Sequence, residues 1–229
     1  DTGRVGTYYF ERGGAPRGRD VVYDRAGAPI REATPETVAV DRVRDTDAFF
    51  TTGITPALSD RLIETTASLL ETASAAGATT AFDVNYREKL WAPATARSTL
   101  ADLFPAVDIL FVAERDAQEI LGLDGDAEAM ARDLADGYDF KTVVVTRGDD
   151  GALALHGGEP TSCGTYSVDT VDPLGSGDAF ASGFLAERLN GASISEAMAY
   201  GTATASLKRT VEGDMARVSR DEVRALVET

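Results

Sequence analysis

Apolar and polar positions fall into two regimes along the chain, which meet near residue 45. From Thr46 onward, short apolar runs alternate with stretches whose apolar residues recur every three or four positions. That is the sequence form of a parallel sheet with covering helices. Ala48–Thr52 reads as a strand ended by Gly53, and a helix follows with Leu58, Leu62, Leu69 and Ala73 along one side, ending near Gly77. The strand Thr79–Asp83, a helix after Pro93 and a strand over 108–112 come next. Short helices are predicted around Ala117–Leu121 and over 127–134, the second with Ala127, Met130, Ala131 and Leu134 at helical spacing. Thr142–Thr146 is an unbroken apolar run, as a strand buried on both faces requires. After the turn Arg147-Gly148-Asp149-Asp150-Gly151, residues 152–155 predict a returning antiparallel strand. One more strand, over 166–171, and three helices complete the chain, the first helix carrying Phe180, Phe184 and Leu185.

The first 45 residues differ. Segments 5–10 and 20–25 are strand-like and are separated by a loop with Gly13, Gly14, Pro16 and Gly18, so they predict a pair of small lid strands. Aromatics and arginines on such strands suit a substrate cover; an edge hairpin packing its tyrosines on the core fits the same pattern. The expected division is a lid with its connecting segment over 1–45 and an α/β unit over 46–229.

Composition narrows the class. The chain has 229 residues, 43% of them hydrophobic, enough for one globular core. No apolar run approaches the roughly 20 residues of a membrane-spanning helix, and the start Asp1-Thr2-Gly3-Arg4 lacks the form of a signal peptide, so a cytoplasmic location is expected. A single Cys163 and a single His156 exclude an internal disulfide and a Cys/His zinc cluster, leaving Cys163 as an inert small residue. The net charge of −16 argues against nucleic acid and anionic membranes as partners. Only Lys89, Lys141 and Lys208 of the 22 basic residues are lysine. With the acidic excess and many Ala and Thr, this suggests a salt-adapted archaeal protein, an ordinary acidic bacterial protein being the other reading. At molar salt the Debye length is about 3 Å, which screens self-repulsion.

Candidate chemistry concentrates in residues 171–180, Val-Asp-Pro-Leu-Gly-Ser-Gly-Asp-Ala-Phe. Gly175, Ser176 and Gly177 fall at a predicted strand-to-helix turn, where an anion can approach unpaired N–H groups at the positive end of the helix dipole. Asp178, on the first turn, can take a proton from a hydroxyl while those amides stabilise a transferring phosphoryl group. The tripeptide alone also suits a plain connection of strand to helix. It is neither a Walker loop nor a dinucleotide fingerprint.

The whole nonapeptide from Asp172 to Phe180 closely resembles the C-terminal motif of the PfkB, or ribokinase-like, carbohydrate kinases, and the resemblance extends over essentially the whole chain. It implies an α/β ribokinase-like three-layer sandwich with a mostly parallel central sheet and a small β lid. It also implies an amino-terminal portion that this sequence lacks. Phe82-Asp83-Val84-Asn85-Tyr86-Arg87, with Leu90-Trp91, is similar to the segment of the subfamily that phosphorylates 2-keto-3-deoxygluconate. There the arginine meets the sugar acid and the Asp/Asn strand end faces the active site. Gly6-Thr7-Tyr8 and Tyr23-Asp24-Arg25 resemble that subfamily's substrate clasp, although Asp24 stands where a second tyrosine is frequent. Guanidinium groups and phenols suit a carboxylated, hydroxylated ligand. In so acidic a chain, Arg25 and Arg87 would also pair with nearby acids.

Thr146-Arg147-Gly148-Asp149-Asp150-Gly151 resembles the family's nucleotide turn, which implies that Thr146, Gly148 and Gly151 contact ATP; as a bare motif it is a common turn. The segment from Ala203 to Asp214, including Ser206 and the loop Glu212-Gly213-Asp214, would border the adenine. Ala113 replaces an asparagine of a family motif that organises Mg²⁺ through water, leaving Asp116 or Glu114 to substitute. Backbone oxygens around Asp172 correspond to a monovalent-cation site, such as K⁺. The implied activity is ATP-dependent phosphorylation of the 6-hydroxyl of 2-keto-3-deoxygluconate, and of its galactonate epimer as well. Asp178 would be the base, Gly175, Ser176 and Gly177 the anion hole, and Tyr8, Tyr23, Arg25, Asp83, Asn85 and Arg87 the sugar-acid site. Another kinase of the family, acting on fructose, ribose or a nucleoside, and a non-catalytic sugar- or nucleotide-binding fragment are the alternatives. Family members pair through the lid, which implies a homo-oligomer.

Overall fold

The computed structural model describes residues 3–11, 13, 16–18 and 20–229; Asp1, Thr2 and Gly14, used in the sequence reading, lie outside them. Strands β1 (Thr7–Glu11) and β2 (Asp20–Asp24) form a separate antiparallel ribbon, with Tyr8 directly opposite Tyr23. A short helix α1 (Val40–Arg44) leads into the main sheet. That sheet has six strands in sequence order: β3 (Ala48–Thr52), β4 (Thr79–Asp83), β5 (Ile109–Ala113), β6 (Thr142–Thr146), β7 (Ala152–His156) and β8 (Glu159–Cys163). The first four run parallel, β7 is antiparallel to β6, and β8 is antiparallel to β7 and so runs in the direction of the first four.

The period of two in the strands distributes their side chains to two cores. Phe82, Leu110, Val112, Val143, Val145, Leu153 and Leu155 point to one face. There they meet α2 (Asp60–Ala75), α3 (Pro93–Leu103) and, after the single turn α4 (Glu114–Asp116), α5 (Ala127–Gly137), through Leu70, Leu100 and Met130. Ala81, Ile109, Phe111, Val144, Ala152 and Ala154 point the other way, onto Phe180, Phe184 and Leu185 of α6 (Ser176–Leu189) and Met198 of α7 (Ile194–Arg209). The result is the expected helix–sheet–helix sandwich, closed by α8 (Arg220–Val227). Each large apolar side chain buried in this way contributes roughly 1.5–3 kcal/mol, so the two cores fix the strand ends that carry the chemistry.

Three details differ from the sequence reading. In α2 the core position belongs to Leu70 rather than Leu69, and Leu58 precedes the helix, because Ser59 caps it by accepting the Leu62 N–H. The strand over 159–163 forms on the turn Gly157-Gly158, whose residues both have positive φ. The strand expected over 166–171 does not form. There the chain leaves the sheet edge, and the N–H groups of Val171 and Asp172 donate to the Arg209 carbonyl at the end of α7, at 2.8 and 3.0 Å.

Candidate active site

The parallel strands end on one side of the sheet, and α6 begins beside them. Gly175 caps α6 with φ +80° and offers no side chain to its amides. A Cβ at Gly175 would lie 2.1 Å from the Asp214 carbonyl oxygen, so the loop after α7 rests directly on this turn. The Ser176 N–H and hydroxyl both donate to the Pro173 carbonyl. The Gly175, Gly177 and Asp178 amides have no acceptor among the described residues, and they are therefore the open donors of the turn. Of the three small residues expected to form the anion hole, Gly175 and Gly177 have unpaired amides, whereas the Ser176 amide is taken by Pro173.

Asp178 accepts a hydrogen bond from Asn85 Nδ2 at 3.3 Å. Burial and the nearby Asp214 push its pKa up, against the opposing effects of Arg87 and Asn85. Asp83, at the end of β4, accepts the Asn85 N–H at 3.1 Å. Its carboxyl is pushed up to about 7, first by burial and then by Asp178, with Asp116 adding to it and Arg87 opposing. Asn85 holds φ +37°, a left-handed conformation uncommon for a non-glycine residue, and it is this bend that turns the chain from β4 toward Asp178. Asp83, Asn85 and Arg87 thus converge on Asp178.

The lid closes the same place. Tyr8 donates to Asp214 Oδ2 at 2.5 Å, and burial and that carboxylate push its phenol up to about 12, so it stays a donor. The Arg25 guanidinium lies over the Tyr23 ring at 4.7 Å and the Tyr8 ring at 6.0 Å. Lys89 ties the base of the lid to the segment after β4 through Asp20. Asp24 pairs with Arg4, away from the site. Neither Arg25 nor Arg87 makes an ion pair among the described residues, which leaves both for an anionic ligand.

On the other side of the α6 turn is a cavity of about 420 Å³ that brings together Thr146, Gly148, Gly151 and Ser206, with Ser176 and Gly177 at its junction with the Asp178 cluster. The two glycines of the turn after β6 are there for different reasons. A Cβ at Gly151 would meet the Cys163 carbonyl at 2.0 Å, whereas Gly148, φ +60°, faces open space. Arg209 also lines the cavity, held by Asp149 at 2.8 Å, and the sequence reading missed it. Asp214, in the loop expected to border the adenine, lies against Gly175 and Tyr8, because the loop after α7 folds back over the turn.

The expected cation positions are largely occupied by the protein itself. Asp116 is buried, with one carboxylate oxygen accepting the Tyr86 N–H and the other held by Arg115 at 2.8 Å; it fixes the Asn85–Arg87 bend. No cluster of three or more metal-ligating side chains occurs among the described residues, so a divalent ion would have to arrive with its own phosphate ligands and waters. Asp172 is buried, its carboxylate accepting the N–H groups of Leu174 and Gly213 and its carbonyl accepting the Lys208 ammonium.

The profile of the pfkB family carbohydrate kinases matches residues 1–220. A 2-dehydro-3-deoxygalactonokinase of Haloferax volcanii is 56% identical over 97% of this chain and 70% of its own length. A 2-dehydro-3-deoxygluconokinase of Thermoproteus tenax is 31% identical over 92% of this chain, which spans only 64% of that relative. The crystal structure of 2-dehydro-3-deoxygluconokinase from Thermotoga maritima superposes with a TM-score of 0.90 at 29% identity, covering 99% of this chain and 73% of that one.

Proposed function

The chain belongs to the pfkB family of carbohydrate kinases, and from that premise we propose that it transfers the γ-phosphoryl group of ATP to the 6-hydroxyl of a six-carbon 2-keto-3-deoxy sugar acid, the gluconate or galactonate epimer. The observation that carries this reading is the position of Asp178. It heads α6 among open amides, between a nucleotide-sized cavity and a cluster holding Asn85, Arg87 and the lid.

In this reaction the nucleotide lies in the cavity over Gly148 and Ser206, its terminal phosphate toward Gly177. The sugar acid lies under Tyr8, Tyr23 and Arg25, its carboxylate on Arg87 and Arg25. Asp178 removes the proton of the attacking hydroxyl as its oxygen bonds to the γ-phosphorus and ADP departs. The raised pKa of Asp178 makes it a better base once ionised. The Gly177 and Asp178 amides stabilise the charge on the transferring group. Mg²⁺ brought by the nucleotide would neutralise phosphate charge. Residues 1–45 act as the cover and 46–229 carry both subsites. On the outer face of the lid Tyr9 and Val22 are exposed, which supports pairing of two copies there. No helix among the described residues is long and apolar enough to cross a membrane.

A substrate panel tests the reading at high salt. 2-Keto-3-deoxygluconate and 2-keto-3-deoxygalactonate should be preferred over fructose, ribose and nucleosides. Arg87→Met should raise KM for the acids by roughly 10–100-fold, the worth of a charged hydrogen bond of about 1.5–3 kcal/mol. Preference for a neutral sugar would refute the assignment of the sugar acid, and ATP binding without transfer to any sugar would favour a binding role.

A further inference from the structure

The phosphate-receiving turn has a buried cation of its own. Lys208, near the end of α7, is fully buried, one of only three lysines in a chain whose other cations are arginines. Its ammonium donates to the backbone carbonyls of Asp172, at 2.9 Å, and Val211, at 3.2 Å. These carbonyls belong to the two segments that frame the turn. Asp172 stands three residues before Gly175, and Val211 three residues before Asp214, whose carbonyl rests on Gly175 and whose carboxylate takes the Tyr8 hydroxyl. The Asp172 carboxylate joins the same two segments by accepting from Leu174 and Gly213. An uncompensated buried ammonium costs several kcal/mol, so it persists only where oxygens replace its water. Carbonyl oxygens around a compact single charge are also what a bound alkali cation uses. A planar guanidinium does not fit such a cage.

We propose that the Lys208 ammonium is the resident monovalent cation of this site, holding the two segments against the α6 turn so that phosphoryl transfer needs no added K⁺. The proposal rests on the kinase reading above and adds a positioning residue to it. Of the backbone oxygens around Asp172 that the resemblance assigned to a bound K⁺, the Asp172 carbonyl already faces the ammonium at 2.9 Å, which leaves no room for K⁺ beside it.

Two arms test it, one without turnover. Crystals grown in RbCl should show no anomalous peak within coordination distance of the Asp172 and Val211 carbonyls in the wild type, and a peak there in Lys208→Ala. Wild-type kcat should stay within about twofold when K⁺ is exchanged for tetramethylammonium at equal ionic strength. Lys208→Ala should fall by about tenfold or more and recover with K⁺ or NH₄⁺ but not with tetramethylammonium, a selectivity that simple loss of packing would not produce. Rb⁺ beside Asp172 in the wild type, or wild-type activity lost on K⁺ withdrawal, overturns the proposal. Both wild-type results stand even if the variant fails to fold, and the diffraction result stands even if no sugar is phosphorylated.

Discussion

Gly175→Ala is the sharpest perturbation of the α6 turn that leaves every charged group in place. The residue sits at φ +80°, which costs an L-residue about 1–2 kcal/mol. The new methyl would meet the Asp214 carbonyl oxygen at 2.1 Å and its carbon at 3.0 Å, both backbone atoms. Relief requires the turn and the loop after α7 to part by roughly 1 Å, and overpacking of this kind costs about 1–3 kcal/mol. The sum, about 2–5 kcal/mol, should lower Tm by roughly 4–20 °C for a domain of this size without abolishing the fold. The same displacement moves Asp178 and its neighbouring amides relative to the substrate, so kcat should fall about 100-fold. Gly177→Ala is the internal control: its Cβ would meet nothing within 4 Å, so the helix should gain about 0.5–1 kcal/mol. Its methyl nevertheless lies where the phosphate must approach, and activity should drop while Tm rises. Calorimetry and steady-state kinetics on both variants decide the matter. Gly175→Ala with wild-type Tm and kcat would refute the packing argument.

Other outcomes follow from charge and burial. Asp83 titrates near 3.8 when unfolded and about 7 when folded, so between those values the folded chain binds the extra proton and stability declines as pH rises. Asp83→Asn removes that decline, and the Tm of the variant minus that of the wild type should climb across about pH 4–7; a constant difference would contradict it. Because the charge is −16, Tm should rise steeply from low salt to molar KCl, and an unchanged Tm would reject the role assigned to screening. Tyr8→Phe removes the hydroxyl that ties the lid to Asp214, so KM for the sugar acid should rise several-fold, by about 0.5–1.5 kcal/mol, with kcat less affected; an unchanged KM would place the lid contact outside substrate binding.

Much of the architecture was legible because its signals are local. The valines of Thr142–Thr146 and the helical spacing of Met130, Ala131 and Leu134 each bury as the pattern demands. Strand β8 was missed because its residues are polar and include Pro160, which is tolerated at a sheet edge; the Gly157-Gly158 turn was the available signal. The expected strand over 166–171 lost its hydrogen bonds to the end of α7, a partner roughly 40 residues away that no local pattern reveals. At the site, Asp83, Asn85 and Arg87 were assigned beside Asp178 through the resemblance of their segment to a kinase subfamily, and the end of β4 with the Asn85 bend is what brings them there. Asp214 and Lys208 could not be read in this way, because what matters about them is which loop folds back onto Gly175 and which carbonyls face a buried ammonium. Arg209 was hidden similarly, since only the fold brings the end of α7 beside the turn after β6.

The most direct test of the account is transfer of labelled phosphate from ATP to 2-keto-3-deoxygalactonate and 2-keto-3-deoxygluconate by the wild type and by Asp178→Asn, with ATP affinity measured on both. The account predicts a fall in kcat of about 10²–10⁴-fold with ATP affinity nearly unchanged, because the nucleotide cavity is intact and only the base is lost. Turnover by Asp178→Asn close to that of the wild type would contradict it.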